Sequence, residues 1–251
     1  MSRVGWEQRI ARAADLEVRY PDAAPILRFY RQVAQAQHQL YREFESGQRD
    51  AIEEKLRAFL DCVAATGPGA AAEEAAALRN RGPAELEALL EAAREGLHPA
   101  RGFSAADFLA RAFLQPWAEA SYPLPRAEEC DLTSACPCCG REPQAAVLQE
   151  EQYGARRSLV CSFCQWEWEF GRRLCPACSE DRSDYLPMFR AEDFPALFVE
   201  VCDSCRTYLL AVNITLDAAA VATVDDLAAE SLHAWAGEHG YQLLAPHWPA
   251  L

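Results

Sequence analysis

Basic side chains are scarce in this chain of 251 residues, and lysine is almost missing. There are 24 basic against 38 acidic side chains, and Lys55 is the only lysine, so the formal net charge is -14. Between residues 126 and 212 there are 9 arginines and 15 acids. A surface with this balance repels a phosphate backbone, so nucleic acid is disfavoured as a partner.

Long apolar runs are missing as well. The N-terminus, MSRVGWEQRI, carries charges where a signal peptide has its apolar core, and no stretch reaches the roughly 18 uninterrupted apolar residues of a membrane span. We therefore expect a cytoplasmic protein that is not inserted into a membrane. The 51% apolar composition is enough for a sizeable core, and the length suits one large or two ordinary domains.

The usual signatures of an active site are also missing. The chain shows no glycine-rich phosphate loop, no serine, histidine and acid arrangement and no paired-carboxylate motif. His233 and His239 are six positions apart and so lie on different faces of a helix. Asp225 and Asp226 begin the same predicted helix, where carboxylates stabilise the N-terminus. We therefore predict that the protein is not an enzyme.

The first 125 residues contain a single cysteine, Cys62, and their apolar pattern predicts helices. Apolar side chains recur every three or four positions, and proline, serine or glycine stands at several of the predicted ends. The predicted helices span 26–44, 51–65, 83–96 and 104–120. We therefore expect an N-terminal helical domain over residues 1–125.

Proline and acidic residues interrupt this pattern at SYPLPRAEEC, residues 121–130, and ten of the eleven cysteines follow between 130 and 205. Short alternating runs, such as RSLV at 157–160 and WEWEF at 166–170, predict strands there. YLLAVNITL at 208–216 predicts a last strand, and TVDDLAAESLHAWAGEHGY at 223–241 predicts a helix ending near Gly240. Small ribbons of this kind have little core of their own.

Eight of the cysteines form four CxxC pairs. The pairs are Cys136 and Cys139, Cys161 and Cys164, Cys175 and Cys178, and Cys202 and Cys205, with 21, 10 and 23 residues between successive pairs. Two long gaps around a short one indicate a duplicated unit, in which a CxxC turn, a hairpin and a second CxxC turn follow one another. We therefore pair the first turn with the second and the third with the fourth.

Two residues between cysteines allow a tight turn to direct both sulfurs at one ion, and a returning strand brings the second pair. This spacing predicts two tetrahedral four-thiolate sites. Thioredoxin-like redox pairs are disfavoured because strands rather than helix starts flank the motifs. Iron-sulfur clusters are disfavoured because the C-x2-C-x2-C run is missing. Both iron and zinc suit four sulfurs, and the sequence leaves the choice between them open.

Other residues near the predicted sites are not expected to bind the metal. Arg156, Arg157, Arg172 and Arg173 are either counter-charges for the thiolates or solvated strand ends. We expect the side chain of Cys138 to face away from the ion. Cys62 and Cys130 are expected to be packing residues, and Trp166 and Trp168 to pack under the ribbon.

Four stretches of the C-terminal half are specific in combination. They are CPCCGREP at 136–143, GARRSLVCSFCQWEWEFGRRLCPAC at 154–178, CDSCRTYL at 202–209 and VDDLAAESLHAWAGEHGY at 224–241. Together they resemble the formate dehydrogenase accessory protein FdhE family. Weaker likeness extends upstream through AQAQHQL at 34–40 and FLARAFLQPWAEA at 108–120.

The resemblance implies a helical domain followed by two rubredoxin-like metal modules, and assistance to another protein rather than catalysis. Family members are cytoplasmic and associate with the catalytic subunit of respiratory formate dehydrogenase before its export. Carried over to this chain, the metal ligands are Cys136, Cys139, Cys161, Cys164, Cys175, Cys178, Cys202 and Cys205. Iron in rubredoxin-like form is the metal suspected for the family.

The sequence thus predicts a multidomain protein with α and β parts. A helical domain (1–125) is followed by two tandem rubredoxin-like or zinc-ribbon modules (126–173 and 174–212) and a C-terminal helical extension (213–251). We expect a chaperone-like maturation factor that binds the immature formate dehydrogenase catalytic subunit. The alternatives are a rubredoxin-like iron electron-transfer protein and, disfavoured by charge, a zinc-ribbon protein that binds nucleic acid.

Overall fold

A computed structural model of the chain describes residues 3–96, 104–123, 133–151 and 154–245. Within these ranges the N-terminal half is helical and the cysteine-rich half is built on a sheet, as the sequence predicts. Cys130 and most of the predicted boundary at 121–130 lie outside the described residues. Among the described helices, none is long and apolar enough to cross a bilayer.

Helices account for most of the described residues before the sheet. They are α1 (Trp6–Arg19), α2 (Ala24–Glu45), α3 (Ile52–Thr66), α4 (Gly69–Arg79), α5 (Pro83–Glu95) and α6 (Ala105–Ser121). The predicted ends are confirmed most clearly at α6. There the Ser104 hydroxyl accepts the backbone N–H of Asp107 at 3.2 Å, and the Asp107 carboxylate accepts that of Ser104 at 2.9 Å.

Two of these helices, α1 and α4, are not predicted by the apolar pattern. The buried face of α1 includes Arg9 and Arg12, so the side chains that repeat along it are partly charged. The buried face of α4 is made largely of small residues, Ala71 and Ala75, and alanines also lie on its other faces. Both helices are therefore hard to recognise by apolar spacing alone.

The cysteine-rich half is built on one mixed sheet in the described residues. Its strands are β1 (Pro143–Glu151), β2 (Gly154–Cys161), β3 (Glu167–Glu169), β4 (Met188–Phe189), β5 (Leu197–Val201), β6 (Thr207–Asn213) and β7 (Gln242–Leu243). The strand order is β3-β2-β1-β6-β5-β4, with β7 beside β6. Pairing is antiparallel except between β1 and β6 and between β6 and β7.

Two copies of the same three-stranded unit, side by side, make up this sheet. The order β3-β2-β1 of the first is repeated as β6-β5-β4 in the second, and the two meet at a seam where β1 runs parallel to β6. Val160 pairs with Glu167, and Val201 pairs with Tyr208, at equal distances from the intervening cysteines. We name residues 136–169 repeat 1 and residues 175–213 repeat 2. The predicted duplication is confirmed, with both units in one continuous sheet.

Each face of the sheet packs against helices, which supply the core that small ribbons lack. On one face, Leu159 and Trp168 belong to the same buried cluster as Phe113 of α6. On the other face, Val199 and Leu210 belong to a second cluster that includes apolar side chains of the C-terminal helix. The sheet is thus stabilised by both helical parts of the chain.

The C-terminal segment is not the single helix that the sequence predicts. It contains α7 (Ala222–Asp225), a 3-10 turn (Asp226–Ala228) and α8 (Glu230–Glu238). The Asp225 carboxylate accepts the backbone N–H of Val221 at 2.8 Å and also binds Arg12. The prediction of one continuous helix is wrong, because the chain changes direction at these two aspartates. Asp225 binds Arg12 of α1, and Asp226 binds His233 of α8.

Buried ion pairs connect α1 to elements far along the chain. Arg9 donates two hydrogen bonds to the Glu119 carboxylate, at 2.8 and 3.1 Å, and the two residues are 1% and 5% exposed. Arg12 binds both Asp225 and Asp217. Such pairs fix the position of a helix because an unpaired charge in the same place is costly.

Replacing one partner of the Arg9–Glu119 ion pair by an apolar residue should leave the charge of the other partner buried and uncompensated. We expect Arg9→Met or Glu119→Leu to lower the free energy of unfolding by about 3 to 5 kcal/mol, and the double variant to recover most of that loss. Urea titration of the purified variants measures it. The exposed Arg79–Asp61 pair is the control, where Arg79→Met should cost at most about 1 kcal/mol. Equal small losses at both pairs would contradict this account.

Candidate metal centres

The eight CxxC cysteines come together in two groups of four. Site 1 contains Cys136, Cys139, Cys161 and Cys164, and site 2 contains Cys175, Cys178, Cys202 and Cys205. Within each group all four sulfurs lie within 4.8 Å of one another. The grouping is the one that the spacing predicts, first turn with second and third with fourth.

The sulfur separations fit a tetrahedral ion. In site 1 the Cys136–Cys164 and Cys139–Cys161 sulfurs are 3.6 and 3.3 Å apart. In site 2 the Cys175–Cys205 and Cys178–Cys202 sulfurs are both 3.7 Å apart. Metal–sulfur bonds of about 2.3 Å place the ligands of a regular tetrahedron about 3.8 Å apart. Each group could therefore hold one ion, and ligation by these eight residues stays a prediction.

All four CxxC turns have the same backbone. In each, the N–H of the first cysteine donates to the carbonyl five residues later, which belongs to Arg141, Trp166, Glu180 or Thr207, at 2.8 to 3.0 Å. The residue after the second cysteine has a positive φ: Gly140 (74°), Gln165 (56°), Ser179 (60°) and Arg206 (59°). Elsewhere in the described chain, Ala51 is the only non-glycine residue with a positive φ. The sequence indicates a positive φ only at Gly140, because glycine is the residue that commonly adopts this conformation.

Backbone N–H groups of the turns point at sulfur. The N–H groups of Phe163 and Cys164 donate to the Cys161 sulfur at 3.3 and 3.4 Å, and that of Ala177 donates to the Cys175 sulfur at 3.4 Å. Hydrogen bonds of this kind favour the thiolate, which is the form that binds metal. The turns therefore position the sulfurs and also favour their ionisation.

Site 1 lies inside the molecule, between the sheet and the helical domain. Cys161 and Cys164 are fully buried and belong to the same apolar cluster as Phe113 of α6. Arg111 of α6 donates to the Ser162 hydroxyl at 3.0 Å, within the second turn of the site. Helix α6 is thus attached directly to a metal-site turn.

Arg141 attaches the first turn of site 1 to α5. Its guanidinium donates to the carbonyls of Ala93 and Arg94 at 2.7 and 2.9 Å, at the C-terminal end of the helix. Gly96 ends that helix with a φ of +81°, and a Cβ there would lie 2.8 Å from the Arg141 guanidinium carbon. Glycine is therefore required at this position by backbone conformation and by the close approach of Arg141.

The arginines beside site 1 are thus Arg111 and Arg141, which the sequence did not single out. Arg111 is 50 positions before Cys161. From the sequence, an arginine on a predicted helix is normally interpreted as a solvent-exposed residue. Of the four arginines expected near the sites, Arg157 is neither solvated nor a counter-charge. It is buried and donates to the Glu200 carboxylate at 2.6 Å, which connects the two repeats.

The thiols of site 1 are crowded, and they do not ionise alike. Burial raises the pKa of the Cys161 thiol well above its usual value. Hydrogen bonds from Cys136 and its neighbours lower the pKa of the Cys164 thiol. Four thiolates in this space repel one another, so a cation that displaces their protons is needed to hold all four in the ligating form.

Cys138, between the two cysteines of the first turn, is half-buried. It is not among the four cysteines whose sulfurs enclose the site. Trp166 and Trp168 are buried as predicted, and Cys62 is half-buried on α3.

Site 2 lies closer to the surface. Cys175 and Cys202 are buried, whereas Cys178 is exposed. At Cys205 burial opposes ionisation, but hydrogen bonds from the Thr207 side chain and backbone lower the pKa of the thiol to about 7. These hydrogen bonds thus favour the ionised form of the Cys205 thiol, which is the form that binds metal. A metal bound in site 2 would be closer to solvent than a metal bound in site 1.

His233 has a structural environment rather than a metal site. One ring nitrogen lies 2.9 Å from the Tyr208 hydroxyl and the other 3.1 Å from the Asp226 carboxylate. Burial lowers the pKa of His233, but the charge and hydrogen bonds of Asp226 outweigh it, and the net pKa is raised. His233 thus joins α8 to β6 and to the turn before α8. His239 lies apart, stacked on Trp235.

Removing one ligand should release one ion, because structural metal binding and local folding are coupled. We expect Cys161→Ser and Cys175→Ser each to retain one metal equivalent where the unmodified chain holds two. Site 1 belongs to the main core, so Cys161→Ser should also destabilise the helical domain. Metal analysis and circular dichroism of anaerobically purified proteins measure both effects. Cys62→Ser is the control that keeps two equivalents, and two equivalents in both ligand variants would refute the grouping.

The positive φ of Ser179 provides a separate test of the turn geometry. Its side chain is exposed and makes no hydrogen bond within the described residues. We expect Ser179→Gly to raise the free energy of unfolding by about 0.5 to 1 kcal/mol, because glycine adopts this conformation without a Cβ clash. Ser179→Ala, which keeps the Cβ, should give no gain. A loss of stability in Ser179→Gly, measured by denaturant titration of the metal-loaded protein, would contradict the assigned turn.

Comparison with known proteins gives one family-model match that includes site 1 and longer matches to curated relatives. A family model described as the FdhE central domain matches residues 135–172. The FdhE homolog of Edwardsiella ictaluri (strain 93-146) is 33% identical over 160 residues, which cover 62% of this chain and 52% of the relative. FdhE of Escherichia coli (strain K12 / DH10B) is 32% identical over 140 residues, which cover 54% of this chain and 45% of the relative. The chain thus spans about half the length of these curated relatives.

A solved structure extends the likeness of fold to nearly the whole chain. The crystal structure of the FdhE protein from Pseudomonas aeruginosa matches with a TM-score of 0.73, covering 98% of this chain and 95% of that chain at 24% identity. The helical part, the sheet with its two four-cysteine groups and the C-terminal helix therefore belong to a known fold. The chain is thus similar to the FdhE central domain at residues 135–172 and to curated FdhE proteins over about half of their length, and it shares the fold of the solved FdhE structure.

Proposed function

We propose that this chain is a maturation factor for respiratory formate dehydrogenase and not an enzyme. In this proposal it acts in the cytoplasm, where it binds the immature catalytic subunit through its helical domain and its two four-cysteine modules. The observation that carries the proposal is that the region matching the FdhE central domain, residues 135–172, contains all four cysteines of site 1. The same region is attached to α5 and α6 through Arg141 and Arg111.

The proposed role of the metal is to make a rigid surface for recognition. An ion in each site would cross-link two CxxC turns that are otherwise joined only through the strands between them. The cysteines hold the ion, Arg111 and Arg141 keep site 1 against the helices, and Arg157 with Glu200 connects the two repeats. A preorganised surface of this kind loses little conformational entropy when a partner binds.

A second candidate is electron transfer by iron at site 2. The observation in its favour is the exposure of Cys178, which brings one ligand of that site to the surface. Voltammetry of the iron-loaded protein tests it, with a reversible one-electron wave as the expected result. An isolated protein that contains only zinc and shows no such wave would eliminate this candidate.

Affinity capture tests the proposed function directly. The tagged chain is recovered from cells grown anaerobically on nitrate and formate, and the bound proteins and the metal content are measured in the same sample. We expect the formate dehydrogenase catalytic subunit to be enriched about tenfold or more over a Cys161→Ser bait, which lacks site 1. Cys62→Ser is the matched bait that should capture normally. Failure of the unmodified chain to capture the subunit would overturn the proposal.

A further inference from the structure

A cleft of about 480 Å³ lies on one face of the sheet, across the seam between the two repeats. Strands from both repeats form its floor, since Leu148 and Arg157 come from β1 and β2 and Phe198, Glu200 and Leu209 come from β5 and β6. Register places Arg157 opposite Leu148 and Glu200 opposite Leu209, so these side chains share one face. We name this space the seam cleft.

Two segments beside site 2 form the walls of the seam cleft. One is the stretch 172–176, which leads into the third CxxC turn, and the other includes 186–188, which leads into β4. Cys175 and Cys202 of site 2 also line the space. The Arg157 guanidinium donates to the Gly171 carbonyl at 3.0 Å and so holds the first wall against the floor. The shape of the cleft therefore depends on site 2 and on this arginine.

The seam cleft has a cationic mouth on a strongly acidic protein. Apart from the cysteines of site 2, its charged lining residues are Arg157, Arg172 and Arg173 against Glu150 and Glu200, a net charge of +1 on a chain whose net charge is -14. Arg157 and Glu200 neutralise each other. Arg172 and Arg173 are exposed, and neither has a carboxylate partner within the described part of the chain. They are therefore available to an anionic group.

Exposed apolar side chains continue from the same wall. Tyr185 and Met188 are 41% and 48% exposed, and they are two of the five large apolar side chains that are exposed in the described residues. A third, Phe189, pairs with Val199 and contacts Trp235 on the other face of the sheet. Met188 itself lines the seam cleft. A concentration of apolar surface around a cleft is typical of a site where another protein binds.

We propose that the seam cleft binds a segment of the immature catalytic subunit in which apolar side chains stand next to an acidic residue. An apolar side chain enters between Leu148, Phe198 and Met188, and the neighbouring carboxylate binds Arg172 and Arg173. The volume accommodates one or two large side chains. This inference rests on the proposed function and adds to it the surface and the chemistry of recognition.

Single substitutions at exposed positions test the seam cleft without disturbing the core. The purified full-length chain, loaded with two metal equivalents, is titrated with the immature formate dehydrogenase catalytic subunit by interferometry. We expect Met188→Asp to weaken binding about tenfold or more, because it places a carboxylate in the apolar mouth. Arg172→Glu should slow association and remove part of its dependence on salt.

Leu216 provides a matched control, because it is 56% exposed and lies outside both the helical domain and the two repeats. Leu216→Asp makes the same kind of change as Met188→Asp and should bind the subunit within about twofold of the unmodified chain. Hydrogen exchange of the complex should show protection of residues 172–176 and 185–189.

The outcomes separate this inference from the proposed function. Equal, undiminished binding by Met188→Asp, Arg172→Glu and Leu216→Asp would overturn the seam cleft and leave the proposed function standing. No binding by the unmodified chain would overturn both. If Met188→Asp instead converts a dimer into a monomer and leaves subunit binding unchanged, the cleft is a contact between two copies of this chain and the inference is wrong.

Discussion

The C-terminal half depends on one constraint, which is that four cysteine sulfurs come together at each of two sites. The two edge strands of the sheet are short, with three residues in β3 and two in β4, so cross-links beyond their few backbone hydrogen bonds are needed to hold these edges. Four turns with the same backbone place the sulfurs within 4.8 Å of one another in each group. A bound ion would then hold both ends of each hairpin together.

Duplication of this unit has given two sites with different surroundings. Site 1 is buried in the main core and attached to α5 and α6 through Arg141 and Arg111, so it connects the sheet to the helical domain. Site 2 has an exposed ligand, Cys178, and two of its cysteines line a cleft. One copy of the unit thus serves the architecture, and the other is placed where it can support a binding surface.

Much of this arrangement could be predicted from the sequence, because the CxxC spacing constrains the chain strongly. The gaps predicted the grouping of the sulfurs, and apolar periodicity predicted four of the six N-terminal helices. Helix α1 was missed because Arg9 and Arg12 lie on its buried face, and their partners are more than a hundred positions away. The parallel seam and the pairing of Asp225 with Arg12 beside the break before α8 likewise depend on contacts that are distant in sequence. The local CxxC spacing predicted the two sites. The position of α1 depends instead on ion pairs between residues far apart in the sequence, which local spacing does not reveal.

The central claim is that each group of four cysteines binds one ion through sulfur alone. X-ray absorption at the metal edge of the anaerobically purified chain measures this most directly. We expect two ions per chain, with four sulfur neighbours each at about 2.3 Å and no nitrogen or oxygen in the first shell. A folded protein without stoichiometric metal, or a first shell that contains nitrogen or oxygen, would contradict the account.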